Sequence, residues 1–182
     1  MQSKEESVLE LFLEQPTKEW HFEEIQRVTK LARSKVDQWL KRFVQEKLIK
    51  RVKEVRKMPY YLGNYESAEY QNKKRLNSFQ KLYNSGFLNH LSSLEKAQTV
   101  IVFGSFVRSD WSKESDVDVF IYGDPQGLKI ATYELKLERE IQLFICRDKT
   151  DLQKLGVGLI KNIIKGNLIK GDLDFIKVEL NA

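Results

Sequence analysis

Gly104-Ser105-Phe106-Val107-Arg108-Ser109-Asp110-Trp111-Ser112-Lys113-Glu114-Ser115-Asp116-Val117-Asp118 is the stretch on which the reading of this chain turns. Its Gly-Ser pair closes the apolar run Thr99-Val100-Ile101-Val102-Phe103. Its Asp-Val-Asp opens a second run, Val119-Phe120-Ile121-Tyr122. The two runs predict neighbouring strands joined by a polar connection. A strand that ends in glycine lets backbone approach a ligand closely, because glycine carries no Cβ. A helical turn opening at Ser105 would aim free N–H groups and a positive dipole end at a phosphate. In a strand, residues i and i+2 share a face about 6.6 Å apart. Asp116 and Asp118 therefore project together while Val117 turns to the core. Two carboxylates can hold Mg²⁺ in an oxygen shell completed by water and triphosphate oxygens. Two such ions, about 3.5–4 Å apart, would clamp the attacking and leaving oxygens of a phosphoryl transfer.

Either fragment alone is ordinary: a Gly-Ser after a strand is usually a turn, and an Asp-x-Asp is usually solvated charge. Joined in this order between two strands, they are similar to the pattern of the minimal nucleotidyltransferases, within the DNA polymerase beta-like superfamily. Arg108 and Ser115 match positions commonly filled the same way, while Ser109 stands where a second glycine is usual. The resemblance covers roughly residues 95 to 175. It implies that Asp116 and Asp118 bind metal and serve catalysis, and that Gly104 and Ser105 hold nucleotide phosphates beside Arg108 and Ser115. The family's third carboxylate lies on a later strand between apolar residues. Here the matching run is Glu140-Ile141-Gln142-Leu143-Phe144-Ile145-Cys146, and the flanked position is Gln142. A neutral carboxamide cannot act as a general base, and the resemblance leaves Gln142 among the nucleotide-binding candidates. Glu140, two residues earlier on the same strand face, is the residue that could substitute; the other reading of it is a solvated charge beside Arg139.

The N-terminal third carries a different signal. From Arg27 to Lys57 twelve basic residues stand against three acidic ones, a local excess of nine positive charges, whereas the whole chain of 182 residues carries only +5. Val8, Leu9, Leu11 and Phe12 give a first helix its apolar stripe, ended by Pro16. Phe22 to about Thr29 reads as a second helix with Ile25 and Val28 inward. Ser34 to Glu46 reads as a third, with Val36, Leu40, Phe43 and Val44 inward. Leu48-Ile49 starts a strand, Tyr60-Tyr61-Leu62 is its antiparallel partner, and Glu54 to Pro59 forms a basic wing. Three helices and a basic wing over about residues 3 to 64 resemble a winged helix-turn-helix domain. In such domains the third helix enters the major groove and the wing meets the backbone. The resemblance makes Arg33, Ser34, Lys35, Gln38, Lys41 and Arg42 the DNA-facing candidates, with Lys53, Arg56 and Lys57 as phosphate contacts. A solvated helix face or a protein-docking module is the other reading.

Glu66 to Tyr83 reads as a linker helix packing through Tyr70, Leu76, Phe79 and Tyr83, followed by a helical segment from Phe87 to Leu94. Leu128 to Leu137 is a helix or a strand. Glu140 to Cys146 is a strand, and Asp151 to about Lys165 one helix with Leu152, Leu155, Leu159, Ile160 and Ile163 inward, capped by Gly166. A short final helix or strand follows Asp172. The expected architecture is α/β (α+β): a winged helix over 1–64, a helical linker over 65–95, and a nucleotidyltransferase-fold domain with a small mixed sheet over 96–182.

Composition narrows the remaining classes. A charged fraction of 31% beside 41% hydrophobic residues suits a globular domain. No apolar run approaches the ~20 residues of a membrane helix, and the N-terminus is no signal peptide. The single Cys146 excludes an internal disulfide, and with only two histidines there is no zinc site to propose. The expectation is a cytoplasmic protein away from membranes, with a nucleoside triphosphate as substrate and Mg²⁺ as cofactor. Its expected partners are double-stranded DNA, a second copy of itself in a homodimer, and a toxin-like protein acceptor such as the HEPN partners of antitoxin-type minimal nucleotidyltransferases. The alternative is a catalytically inactive, nucleotidyltransferase-like transcription regulator or antitoxin-type nucleotide-binding protein.

Overall fold

The computed structural model describes residues 3–174 and 176. The chain divides into two compact units, Met1–Leu76 and Asn77–Ala182.

The N-terminal unit begins with α1 (Lys4–Glu14). A capping box starts it: the Ser3 hydroxyl accepts the Glu6 N–H at 3.1 Å, and the Ser3 N–H reaches Glu6 Oε2 at 2.8 Å. These bonds satisfy groups that the first turn would leave open. Next come β1 (Trp20–His21), α2 (Phe22–Thr29), α3 (Arg33–Gln45), β2 (Ile49–Val52) and β3 (Tyr60–Gly63). The strands form one antiparallel sheet in the order β1-β3-β2. The helices pack pairwise over a core of Val8, Phe12, Ile25, Val36, Leu40 and Phe43. The expected apolar stripes hold, with one exception. Val28 is 50% exposed, not inward, and α2 buries Ile25 alone.

The helix α4 (Ala68–Asn84) follows. Its buried residues are Tyr70, Lys74, Ser78 and Leu82, at a strict spacing of four. The expected packing positions Leu76 and Tyr83 are instead exposed. The Tyr70 hydroxyl donates to the Phe12 carbonyl at 2.8 Å, within the N-terminal unit.

The C-terminal unit continues with α5 (Phe87–Ser92), β4 (Ala97–Phe103), β5 (Val117–Gly123), α6 (Ile130–Leu137), β6 (Ile141–Cys146), α7 (Lys149–Gln153), α8 (Val157–Ile164) and β7 (Asn167–Lys170). The open choice over residues 128–137 resolves to a helix. The sheet order is β6-β5-β4-β7. It is mixed: β5 pairs parallel with β6, while β4 pairs antiparallel with both β5 and β7. The central strands are buried on both faces, which is why both read as unbroken apolar runs. On one face Ile101, Phe103, Phe120, Tyr122 and Cys146 gather with Ile163 of α8, and Leu152, Leu155 and Leu159 pack against them.

Two expectations for this face need correction. Residues 151–165 are not one helix: the chain breaks at Lys154–Gly156, and Gly156 is the N-cap of α8. Nor does Gly166 cap α8, since the cap is Lys165 with an ordinary φ of −80°. Gly166 is small for a packing reason. A Cβ there would lie 2.6 Å from both the Ile101 and Phe103 side chains. The element expected after Asp172 falls largely outside the described residues. Cys146 is buried, and that burial pushes its thiol pKa up.

Candidate active site

β4 ends at Phe103, and the chain turns at once. Gly104 has φ +79°, the left-handed region that favours glycine. Ser105 to Ser109 then form a turn, with the Arg108 N–H bonded to the Ser105 carbonyl at 3.0 Å. No regular helix opens at Ser105 in this connection. The reason for glycine is visible in what surrounds it. A Cβ on Gly104 would sit 1.8 Å from Asp118 Oδ2 and 2.7 Å from its Cγ. The vacancy left by the missing side chain is filled by the Asp118 carboxyl group.

Asp118 is placed there by register. It pairs with Phe103 across the antiparallel β4–β5 ladder and with Gln142 across the parallel β5–β6 ladder. Asp116 lies two residues earlier, just before β5, and both aspartates are half-buried. The Asp118 pKa is raised above the ordinary carboxylate value, first by burial and then by the Asp116 charge, while Arg108 pulls it the other way. Two carboxylates held together in partial burial repel each other, and a cation would relieve that repulsion. Oxygen donors of this kind suit a hard divalent cation. No three His, Cys, Asp or Glu side chains gather as a metal-holding group among the described residues.

The remaining predicted residues fall as follows. Gln142 sits beside Asp118, at the position where a third carboxylate is expected, and is exposed. Glu140 is exposed just before β6, and its carbonyl accepts the Val117 N–H at 2.9 Å. Arg108 is exposed and grips Asp110 through two bonds, Nε to Oδ1 at 3.2 Å and a terminal nitrogen to Oδ2 at 3.0 Å. The Ser115 hydroxyl accepts the Ser112 N–H at 2.9 Å, so its role in this structure is to shape the connection.

Three residues that the sequence reading passed over hold this connection. Phe106 and Trp111 are fully buried, with rings 5.6 Å apart. Arg139, 8% exposed, lies over both rings and donates to three carbonyls of the connection. An aromatic pair inside a polar loop was the available signal for the first two. Nothing in the sequence marks Arg139.

In the N-terminal unit, Arg33, Ser34, Lys35, Gln38, Lys41 and Arg42 are all exposed on α3. Their charge is partly answered. Lys41 pairs with Asp37 at 2.7 Å, and Arg42 with Glu5 and Glu46. Lys35 Nζ reaches Gln38 at 3.4 Å, and Arg33 lies over Phe22. In the β2–β3 connection Lys53, Arg56 and Lys57 are exposed, and Lys57 pairs with Glu54. Arg56 holds φ +62° at the tip, and its neighbour Val55 is 89% exposed.

A mixed sheet thus carries an aspartate pair against a glycine-led turn, an oxygen-donor arrangement that suits a cation. Residues 88–173 match the family model described as Polymerase beta, Nucleotidyltransferase, which supports the nucleotidyltransferase superfamily for this segment and suggests transferase activity on a nucleotide substrate. No curated protein matches the chain. No helix among the described residues is long and apolar enough to cross a membrane.

Proposed function

We propose that the C-terminal unit transfers a nucleoside monophosphate from a nucleoside triphosphate to an acceptor hydroxyl, with Mg²⁺. The observation that carries this reading is the seating of Asp118 against Gly104 with Asp116 two residues away. Asp116 and Asp118 would hold the cation, which when bound offsets phosphate charge and orients the triphosphate. Backbone of Gly104 and Ser105 would face the phosphates, and Ser115 would keep the connection in shape. Arg108, freed from Asp110, could turn its fork to a phosphate oxygen. In the transfer, the acceptor oxygen bonds to the α-phosphorus, and the bond from that phosphorus to the bridging oxygen breaks. Pyrophosphate departs with the electron pair. The acceptor proton passes to Glu140 or to solvent, because Gln142 cannot take it.

Calorimetric titration with a triphosphate and Mg²⁺ tests the site. The double variant Asp116→Ala, Asp118→Ala should lose Mg²⁺-dependent affinity and keep its fold. Unchanged affinity would refute the assignment. Incubation with labelled triphosphates, Mg²⁺ and cell lysate should then label an acceptor in the wild type only.

Gln142 beside Asp118 favours a second reading, in which the unit binds the triphosphate without transferring it. Under either reading we take the N-terminal unit to be a winged helix that binds duplex DNA through α3 and the β2–β3 wing. The helix–strand–helix–helix–strand–strand order and the β1-β3-β2 sheet support this. So do Arg27, Lys30, Arg51, Lys53 and Arg56, all exposed.

A further inference from the structure

The connection from Gly104 to Asp116 carries the predicted phosphate-facing backbone and the first aspartate, yet it has little regular structure of its own. Its internal backbone bonds are few: Arg108 N–H to Ser105, and Ser115 N–H to Ser112 at 3.1 Å. One side chain from outside it does much of the fastening. A single terminal nitrogen of Arg139 donates to the carbonyls of Ser112 at 2.7 Å, Lys113 at 2.9 Å and Ser115 at 2.7 Å. Its guanidinium carbon stands 4.8 Å from the Phe106 ring centre and 5.3 Å from that of Trp111.

A buried cation is costly unless hydrogen bonds and favourable dipoles compensate it. Here carbonyl oxygens and ring faces supply that compensation. The geometry has a direction as well. Arg139 follows Glu138, which closes α6 in the left-handed conformation, and precedes Glu140, whose carbonyl takes the Val117 N–H. The start of β6 therefore grips the chain on both sides of Asp116, through Ser115 by the Arg139 side chain and through Val117 by backbone. Lysine would keep donors for the carbonyls but lose the guanidinium plane that stacks on Phe106 and Trp111.

We propose that Arg139 is the positioning residue of this site: it fixes Ser115 and hence Asp116 relative to Asp118, and touches no substrate. What the positioned aspartate does rests on the nucleotidyltransferase reading. The positioning itself does not.

The test uses the full chain with Arg139→Ala and Arg139→Lys. Amide hydrogen exchange reads the connection directly. Arg139→Ala should speed exchange at residues 112–117 by about tenfold or more, the loss expected when hydrogen bonds to a charged group are removed. Exchange in β4 should stay as in the wild type. Millimolar guanidinium should slow the exchange again in Arg139→Ala, and Arg139→Lys should lie between the two. In the same samples, affinity for Mg²⁺ with ATP or GTP should fall about tenfold in Arg139→Ala and should not fall further when Asp116→Ala is already present. Exchange at 112–117 that matches the wild type in both variants overturns the proposal. So does acceleration spread evenly over β4 and β5, which would mean general loosening. A wild type that binds neither triphosphate defeats the functional reading, while the exchange pattern still decides the role of Arg139.

Discussion

Replacing Gly104 by alanine puts one methyl group where the Asp118 carboxylate now sits. The added Cβ would lie 1.8 Å from Oδ2, whereas ordinary contact begins at 3.4 Å. The oxygen must retreat by roughly 1.6 Å, or the turn must open. Displacement of about 1 Å in a catalytic array costs on the order of 10²-fold in rate, so any transfer activity should fall by about that factor, and Mg²⁺-dependent nucleotide affinity should fall with it. Stability should fall too, because a non-glycine residue in the left-handed region costs roughly 1–2 kcal/mol before any clash. Gly127→Ala supplies the control. Gly127 also has positive φ, +92°, but nothing lies within 4 Å of its Cβ position. Thermal unfolding should therefore show a larger loss for Gly104→Ala than for Gly127→Ala. In an Asp118→Ala background the excess should disappear, since the clashing oxygen is gone. If Gly104→Ala matches Gly127→Ala in stability and keeps wild-type triphosphate affinity, Asp118 is not seated against Gly104 and the site geometry is wrong.

The other predictions concern the proton acceptor, the wing and a histidine. If Glu140 takes the acceptor proton, Glu140→Gln should abolish transfer, whereas if Gln142 has disabled transfer, Gln142→Asp should create it; an active wild type indifferent to Glu140→Gln removes Glu140 from the mechanism. Replacing Arg56 and Lys57 by alanine should weaken duplex DNA binding for all sequences and reduce the log–log salt slope by about two units, read by gel shift across salt concentrations. Full-length protein with no DNA affinity at low salt would make the N-terminal unit a protein-docking module. His90 Nε2 accepts the Lys129 N–H at 3.1 Å, which only the neutral ring can do. Burial, and then Lys129, lower its pKa. The unfolded chain binds this proton first, near pH ~6.5, so the contribution to stability is complete above that pH and lost as pH falls through the lower folded value. His90→Gln should flatten the melting-temperature profile in that window; an unchanged profile would show that the contact contributes nothing.

What the sequence displayed depended on whether burial and hydropathy coincided. β4 and β5 are covered on both faces, so an unbroken run of Val, Ile and Phe marks each of them plainly. β1 is two residues long and exists only through pairing with β3, some 40 residues later. No periodicity can appear in two residues. The buried row of α4 includes a lysine and a serine, so its true inward face looked polar while the exposed Leu76 and Tyr83 looked like packing positions. Burying Lys74 is tolerated because its surroundings answer it, among them the Tyr70 ring, 5.5 Å from its ammonium nitrogen. The break between α7 and α8 is a matter of conformation: Gly156 adopts extended backbone at φ −66°, ψ 146° as the N-cap, inside what is otherwise an uninterrupted helical pattern.

The site divides along the same line. Its candidate groups were legible because the proposed chemistry requires particular residue types at short sequence spacing: Gly104 next to Ser105, Asp116 two residues from Asp118. The structure adds a reason for the glycine that spacing alone could not supply, which is room for the Asp118 carboxylate. What remained illegible was the support. Arg139 is 23 residues beyond Asp116, beside a glutamate that invites reading the pair as solvated charge, yet it is buried beneath the connection that carries Asp116. Short-range chemistry writes motifs, whereas the side chain that holds a motif in place is chosen by the fold and can come from any element that passes nearby. A variant screen confined to Gly104, Ser105, Asp116 and Asp118 would thus sample the groups proposed to meet the nucleotide and miss the one proposed to set the distance between the two aspartates.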